Sequence, residues 1–195
     1  MSSARWWRRY YLRYQEKNRS KIILGIDPGS VVCGYGVIKA IYSRQYTVDS
    51  TLTQTLTTDT TYVASGRIEL SSKRPLHIRL KELYDALTDI IKEYSPDEVA
   101  VEKVFFAKSV KAALTLGHAR GAVLMAAAFS GLPLYEYSAL EVKKAITGYG
   151  RAEKHQVQGM VSQVLNLSFK LSEDSADALA LALCHTNTLR FESSK

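Results

Sequence analysis

The chain has 195 residues, enough for one domain with one core, and its 46% hydrophobic content is ordinary for a soluble globular protein. No apolar run approaches the roughly 18 to 20 residues needed to span a bilayer, so no membrane partner is expected. The formal charge of +7 is unevenly placed: residues 1–20 hold six bases and one acid, a net of +5, which leaves +2 for the other 175 residues and excludes a nucleic-acid reading based on net charge alone.

Residues 1–20 lack the apolar core of a secretory signal. Trp6, Trp7, Tyr10, Tyr11 and Tyr14 interleave with Arg5, Arg8, Arg9 and Arg13. The segment reads as a flexible basic aromatic extension with three competing roles. It is a basic arm that grips phosphates and stacks on bases, an organellar transit segment, or a stretch without a specific role. Two cysteines, Cys33 and Cys184, have no metal-type spacing and read as buried thiols of a reducing cytoplasm, the expected location.

The domain is expected over residues 21–190. Lys21 to Ile26 is a β-branched run that ends in the turn signal Asp27-Pro28-Gly29. Gly34 to Ile41 follows as a second strand, and the two read as a hairpin. Tyr46 to Thr61 is rich in Thr, Ser and Asp, carries no helical period and reads as a loop or a long hairpin tip. Tyr62 to Leu70 reads as the third strand. Leu76, Leu80, Leu83, Leu87, Ile90, Ile91 and Tyr94 recur at spacings of three and four, which predicts an amphipathic helix ended by Ser95-Pro96. Glu98 to Val104 alternates as a strand. Lys111 to Phe129 predicts an Ala-rich helix, with Gly117 and Gly121 permitting close packing and the stretch from Gly121 to Phe129 buried. Leu134 to Tyr137 is a brief strand. Ser138 and Glu141 have capping-box spacing and open a short helix that Gly148-Tyr149-Gly150 breaks. Ala152 to Leu165 is helical, and Ser172 caps a last helix to about Leu189. The order predicts an α/β fold with a mixed five-stranded sheet, an antiparallel meander plus parallel strands, flanked by helices.

Four carboxylates stand out. Asp27 ends the first strand and Glu102 lies near the end of the fourth, where acids are uncommon. Asp174 and Asp177 share the first turn of the last helix, about 60° apart around its axis and about 4.5 Å along it, where the helix N-terminus favours their ionised forms. Four like charges gathered together repel unless cations neutralise them, and hard oxygen ligands suit Mg²⁺ or Mn²⁺. Taken singly, Asp27 also reads as a plain turn residue and the aspartate pair as ordinary helix N-terminal acids.

These residues fall in blocks that resemble a known family. Gly25-Ile26-Asp27-Pro28-Gly29-Ser30 with Gly34-Tyr35-Gly36-Val37 is similar to the opening of the RuvC Holliday-junction resolvases. The central block is Glu102-Lys103-Val104-Phe105 with Ala107-Lys108 and Leu116-Gly117-His118-Ala119-Arg120-Gly121. Val142-Lys143 through Gly148-Tyr149-Gly150, then Ala152-Glu153-Lys154, resembles the third, and Asp174-Ser175-Ala176-Asp177-Ala178-Leu179-Ala180 the acidic C-terminal motif.

The resemblance implies an RNase H-like fold, a homodimer, and paired symmetric nicks in a four-way DNA junction during recombination and repair. It implies that Asp27, Glu102, Asp174 and Asp177 are catalytic and hold two Mg²⁺ ions, with Mn²⁺ able to substitute. It implies DNA contacts from Phe105, Lys108, Arg120, Lys143 and Lys154, and a RuvA–RuvB branch-migration complex as partner. Without the family match, Lys143 and Lys154 would read as solvated helix faces and Phe105 as core beside Phe106. Other functions kept open are a junction-binding scaffold without catalysis, an actin-like ATPase or sugar kinase, and an RNase H-like nuclease acting on RNA–DNA hybrids. The extension and the long Tyr42–Thr61 segment depart from the family pattern.

Overall fold

The computed structural model describes residues 18–48, 52–103 and 109–192. Three antiparallel strands come first: β1 (Asn18–Asp27), β2 (Val32–Val48) and β3 (Leu52–Glu69). Helix α1 (Leu76–Tyr94) leads to β4 (Glu98–Glu102), α2 (Val110–Phe129) leads to β5 (Leu134–Tyr137), and α3 (Ala139–Thr147), α4 (Lys154–Val164) and α5 (Glu173–Glu192) close the chain. The sheet order is β3-β2-β1-β4-β5, with β4 parallel to both β1 and β5. The antiparallel meander and the two parallel additions thus meet at β1, as the element order predicts.

Side chains alternate across each strand, which divides the core in two. Ile23, Ile38 and Ala100 face α3, α4 and α5 and pack with Val157, Val161, Leu179 and Leu183. Leu24, Ile26, Val37, Val99 and Val101 face α1 and α2 and pack with Leu83, Leu87 and Val123. Each fully buried side chain of this size contributes about 1.5 to 3 kcal/mol. The Leu83, Leu87 and Ile91 stripe buries as the α1 periodicity predicts. Ser138 and Glu141 form the expected capping box of α3, and Gly148 ends that helix at φ 76°.

Four features differ from expectation. β1 begins at Asn18, paired with Ser43, so the sheet claims residues assigned by sequence to the extension. The third strand begins at Leu52 rather than Tyr62: of the two readings of Tyr46–Thr61 the long hairpin holds, because β2 and β3 pair out to Val48 and Leu52, and Thr-rich segments satisfy a ladder as well as a turn. Among the described residues, no atom lies near the place a Cβ would take on Gly117 or Gly121, so neither serves close packing there. Helix α2 is also only partly buried: Ala119, Val123 and Ala126 face the core, while Val110, Leu114, Met125 and Phe129 lie in the open. By length and composition alone α2 is apolar enough to cross a membrane, a property the run-length reading missed because Lys111, His118 and Arg120 interrupt the run.

Helix α5 lies unusually close to the sheet, and glycines make the room. A Cβ on Gly25 would overlap the Ala178 carbonyl oxygen, one on Gly34 would overlap that of Asp174, and one on Gly36 would come within 2.6 Å of Leu179 Cγ. All three lie on the sheet face that α5 covers, and their missing side chains let the first turns of α5 rest on β1 and β2.

Candidate active site

That close approach builds the site. Ile26 of β1 stands opposite Val101 of β4 in the parallel register, so the next residues, Asp27 and Glu102, end adjacent strands side by side. Period-two alternation puts Asp27 on the same face as Ile23 and Gly25, beneath α5. Ser172 accepts a hydrogen bond from the Ser175 amide at 3.2 Å and caps α5, so that Asp174 and Asp177 project from its first turns. Asp27, Glu102 and Asp177 line one cavity of 220 Å³, with Lys143 of α3 and Lys154 of α4 opposite and an apolar floor that includes Val142, Val157 and Leu181. Asp174 stands at the edge, against Gly34.

The electrostatics follow from burial and crowding. The Asp27 carboxyl is pushed up to about 7, first because it is withdrawn from water and then because Asp177, Glu102 and Asp174 surround it. Burial, then Asp177, raises Glu102 in the same direction. Lys154 lies 2.9 Å from Asp177 Oδ2 and 3.2 Å from Glu173 Oε2. Its hydrogen bond to Asp177 holds the ammonium well above the usual lysine range. Arg67 of β3 pairs with Glu69 and stands 3.6 Å from Asp174 Oδ2. Among the described residues no three His, Cys, Asp or Glu side chains gather tightly enough for a ready-made metal cage. Instead the acids share a neighbourhood in which Lys154 pairs with Asp177 and Arg67 stands beside Asp174. The donor set nevertheless fits a hard divalent cation. It is all carboxylate oxygen, and Asp27, withdrawn from water and crowded by acids, carries a charge that such an ion would stabilise.

The residues expected from sequence divide cleanly. Asp27, Glu102, Asp177, Lys143 and Lys154 come together, with Asp174 alongside. Arg120 does not join them: it pairs with Glu136 on the sheet face covered by α2, away from the carboxylates. Phe105 and Lys108 lie outside the described residues. Sequence reasoning missed Arg67 and Glu173. Cys33 and Cys184 are both buried and unpaired.

A second polar cluster lies at the other end of the sheet. Glu98, at the start of β4, accepts a hydrogen bond from Lys21, and another from His185 Nε2 at 2.8 Å, and His185 Nδ1 meets the Tyr137 hydroxyl at 2.6 Å. Glu98 and His185 are almost fully buried. Burial alone would raise Glu98, but the hydrogen bonds from Lys21 and His185 outweigh it and bring the carboxyl below its ordinary value.

Comparison with known proteins points to one family. Residues 23–185 match the family model described as crossover junction endodeoxyribonuclease RuvC. A protein of that name from Magnetococcus marinus is 46% identical over 165 residues, covering 85% of this chain and 83% of its own length. One from Shewanella pealeana is 47% identical over 167 residues, covering 86% and 87%. The structure of Thermus thermophilus RuvC in complex with a Holliday junction substrate superposes with a TM-score of 0.75 at 31% identity, covering 89% of this chain and 97% of that one. The yeast mitochondrial Holliday junction resolvase Ydc2 shares the fold at 13% identity and a TM-score of 0.52.

Proposed function

The chain belongs to the RuvC family of crossover junction endodeoxyribonucleases, and from that premise we propose how its own residues perform the family's reaction. It is a metal-dependent DNA endonuclease with an RNase H-like fold, and it resolves four-way junctions in recombination and repair. Asp27, Glu102, Asp174 and Asp177 hold the metal, two Mg²⁺ ions per site, with Mn²⁺ as a substitute. The observation that supports this most is the meeting of three strand- and helix-end acids in one cavity beside two lysines. Ions held by these carboxylates would supply activation of a water and stabilisation of the leaving oxygen of a phosphodiester.

The remaining work falls to the protein. The glycines under α5 fix Asp174 and Asp177 against Asp27. Lys154 stays charged throughout the physiological range and faces the cavity, so its ammonium offsets charge that builds on the phosphoryl oxygens. Lys143 lines the same cavity from α3 and adds to that field. The apolar floor limits water around the carboxylates and strengthens each of these interactions.

The junction has two-fold symmetry, and the enzyme acts as a dimer so that one site meets each of two opposed strands. We place the subunit contact on α2, where Leu114, Met125 and Phe129 are exposed. Association with the RuvA–RuvB complex is part of the same proposal, as is a cytoplasmic location, which the two unpaired thiols support.

The test incubates the protein with a synthetic four-way junction, matched duplex and an RNA–DNA hybrid, with and without Mg²⁺. Paired nicks in the junction alone, dependent on Mg²⁺ and lost in Glu102→Gln, Asp174→Asn and Asp177→Asn, are expected. Those variants should still bind the junction, because removing negative charge near phosphate does not weaken attraction. Binding without cleavage by the wild type would favour a scaffold; cleavage of the hybrid would favour a different nuclease.

A further inference from the structure

Lys143 and Lys154 supply positive charge to the carboxylate site from α3 and α4. The opposite flank, formed by β2 and β3, has a different cation. Arg67 stands opposite Gly34 in the β2–β3 register, and Gly34 is the residue against which Asp174 packs. With no side chain at position 34, nothing on β2 stands between Arg67 and α5, and the Arg67 side chain reaches across β2 toward the Asp174 carboxylate. Its separation from Asp174, 3.6 Å, is too long for a directed hydrogen bond, so the attraction is Coulombic. Glu69, two residues along the same strand, holds one terminal nitrogen. A guanidinium carries five donors in a planar fork, and these two contacts leave most of the fork uncommitted. The side chain is 40% exposed, beside Asp174.

We propose that Arg67 binds a backbone phosphate of the DNA strand where it crosses the β3 flank of the carboxylate site. The substrate is then gripped by cations on both sides of the acids, Lys154 on one and Arg67 on the other. Charge balance gives the reason. Asp27, Glu102, Asp174 and Asp177, with Glu69 and Glu173 at the rim, repel an approaching polyanion, and the two lysines offset this on one flank only. Arginine suits the other flank because its fork matches two phosphate oxygens at once, which a lysine cannot do. Glu69 anchors the arginine in place before DNA arrives, and Asp174, once committed to a metal, no longer competes for it.

The inference rests on the junction-binding activity proposed above, and the experiment separates the two. Junction affinity is measured against salt concentration, with Ca²⁺ replacing Mg²⁺ to hold the site loaded while cleavage is suppressed, for wild type, Arg67→Gln and Arg67→Lys. Loss of one phosphate contact should lower the slope of log affinity against log salt by about 0.9. Arg67→Gln should show that loss and bind more weakly at low salt, and Arg67→Lys should restore the slope but not all of the affinity. Equal affinity and slope for wild type and Arg67→Gln would overturn the proposal. So would a Gln variant that keeps the wild-type slope but needs more Mg²⁺ to cleave, since Arg67 would then only orient Asp174. If Arg67→Gln does not fold, a wild-type slope and affinity in Arg67→Lys supports a simple charge contact and overturns the forked one. A wild type with no junction affinity would refute the parent reading instead.

Discussion

Asp27→Asn should stabilise the metal-free protein while abolishing cleavage. Asn keeps the shape of the side chain and removes its charge. In the folded protein the Asp27 carboxyl is raised from 3.8 to about 7 by burial and by its acidic neighbours. A shift of about three units corresponds to about 4 kcal/mol, an upper value for what ionising Asp27 costs the fold. The sign follows from linkage. Between the two values the folded chain holds a proton that the unfolded chain releases, so wild-type stability falls as pH rises from about 4 through about 7. The variant has no such proton. The stability gap between them should therefore widen by about 2 to 3 kcal/mol between pH 5 and pH 8, which is about 5 to 10 °C in Tm for a domain of this size. The assay is denaturant or thermal unfolding in EDTA across that range, beside junction cleavage in Mg²⁺. Adding Mg²⁺ should narrow the gap at pH 8, because an ion bound to the wild type at 100 times its Kd contributes about 2.7 kcal/mol. A gap that stays constant from pH 5 to 8 would refute the burial and crowding that raise Asp27. A variant that cuts junctions at the wild-type rate would remove it from the metal site.

The other predictions concern regions away from the metal. Glu98→Gln breaks a buried ion pair and should destabilise the fold by about 3 kcal/mol without altering the Mg²⁺ dependence of cleavage. Because the folded value of Glu98 is lowered, its contribution is present above the ordinary carboxyl range and fades as pH falls through the lowered value, so the wild type but not the variant should show this loss in acid melts. Leu114→Glu charges an exposed position of α2 and should leave a stable 21.8 kDa monomer by sedimentation that no longer makes paired nicks; an unchanged dimer mass would move the interface elsewhere. Deleting residues 1–17, which carry a net +4, should leave the nuclease active and flatten the salt dependence of junction binding, and identical slopes would count against a DNA-gripping arm.

Legibility in the sequence tracked how local each signal is. The α1 stripe and the α3 capping box need only neighbouring residues, and both stood in the expected places. The long hairpin was ambiguous because Thr, Ser and Asp suit turns and paired strands alike; the pairing that decides it lies between segments, not within either one. The four acids could be chosen by position at element ends, but their convergence depends on how close α5 comes to the sheet. Gly25, Gly34 and Gly36 record that distance, and in the sequence they look like parts of a turn motif. Arg67 left no trace at all, since nothing in the spacing of β3 refers to a helix more than one hundred residues later.

Glu98 and Glu102 show why residue type alone could not have finished the assignment. Both are acids of β4, four residues apart, on the same face of the same strand. Rarity in a strand therefore marks them equally. What separates them is which end of the strand each occupies and what lies there. At the start of β4, Glu98 is enclosed by Lys21 and His185, and its carboxyl is lowered. At the end, Glu102 is withdrawn from water and faces Asp177, and its carboxyl is raised by the burial first and that charge second. One charge is satisfied by the fold and stabilises it. The other is left in excess, and a site that keeps an unsatisfied charge at a cost to stability is one prepared for a ligand the fold does not itself provide.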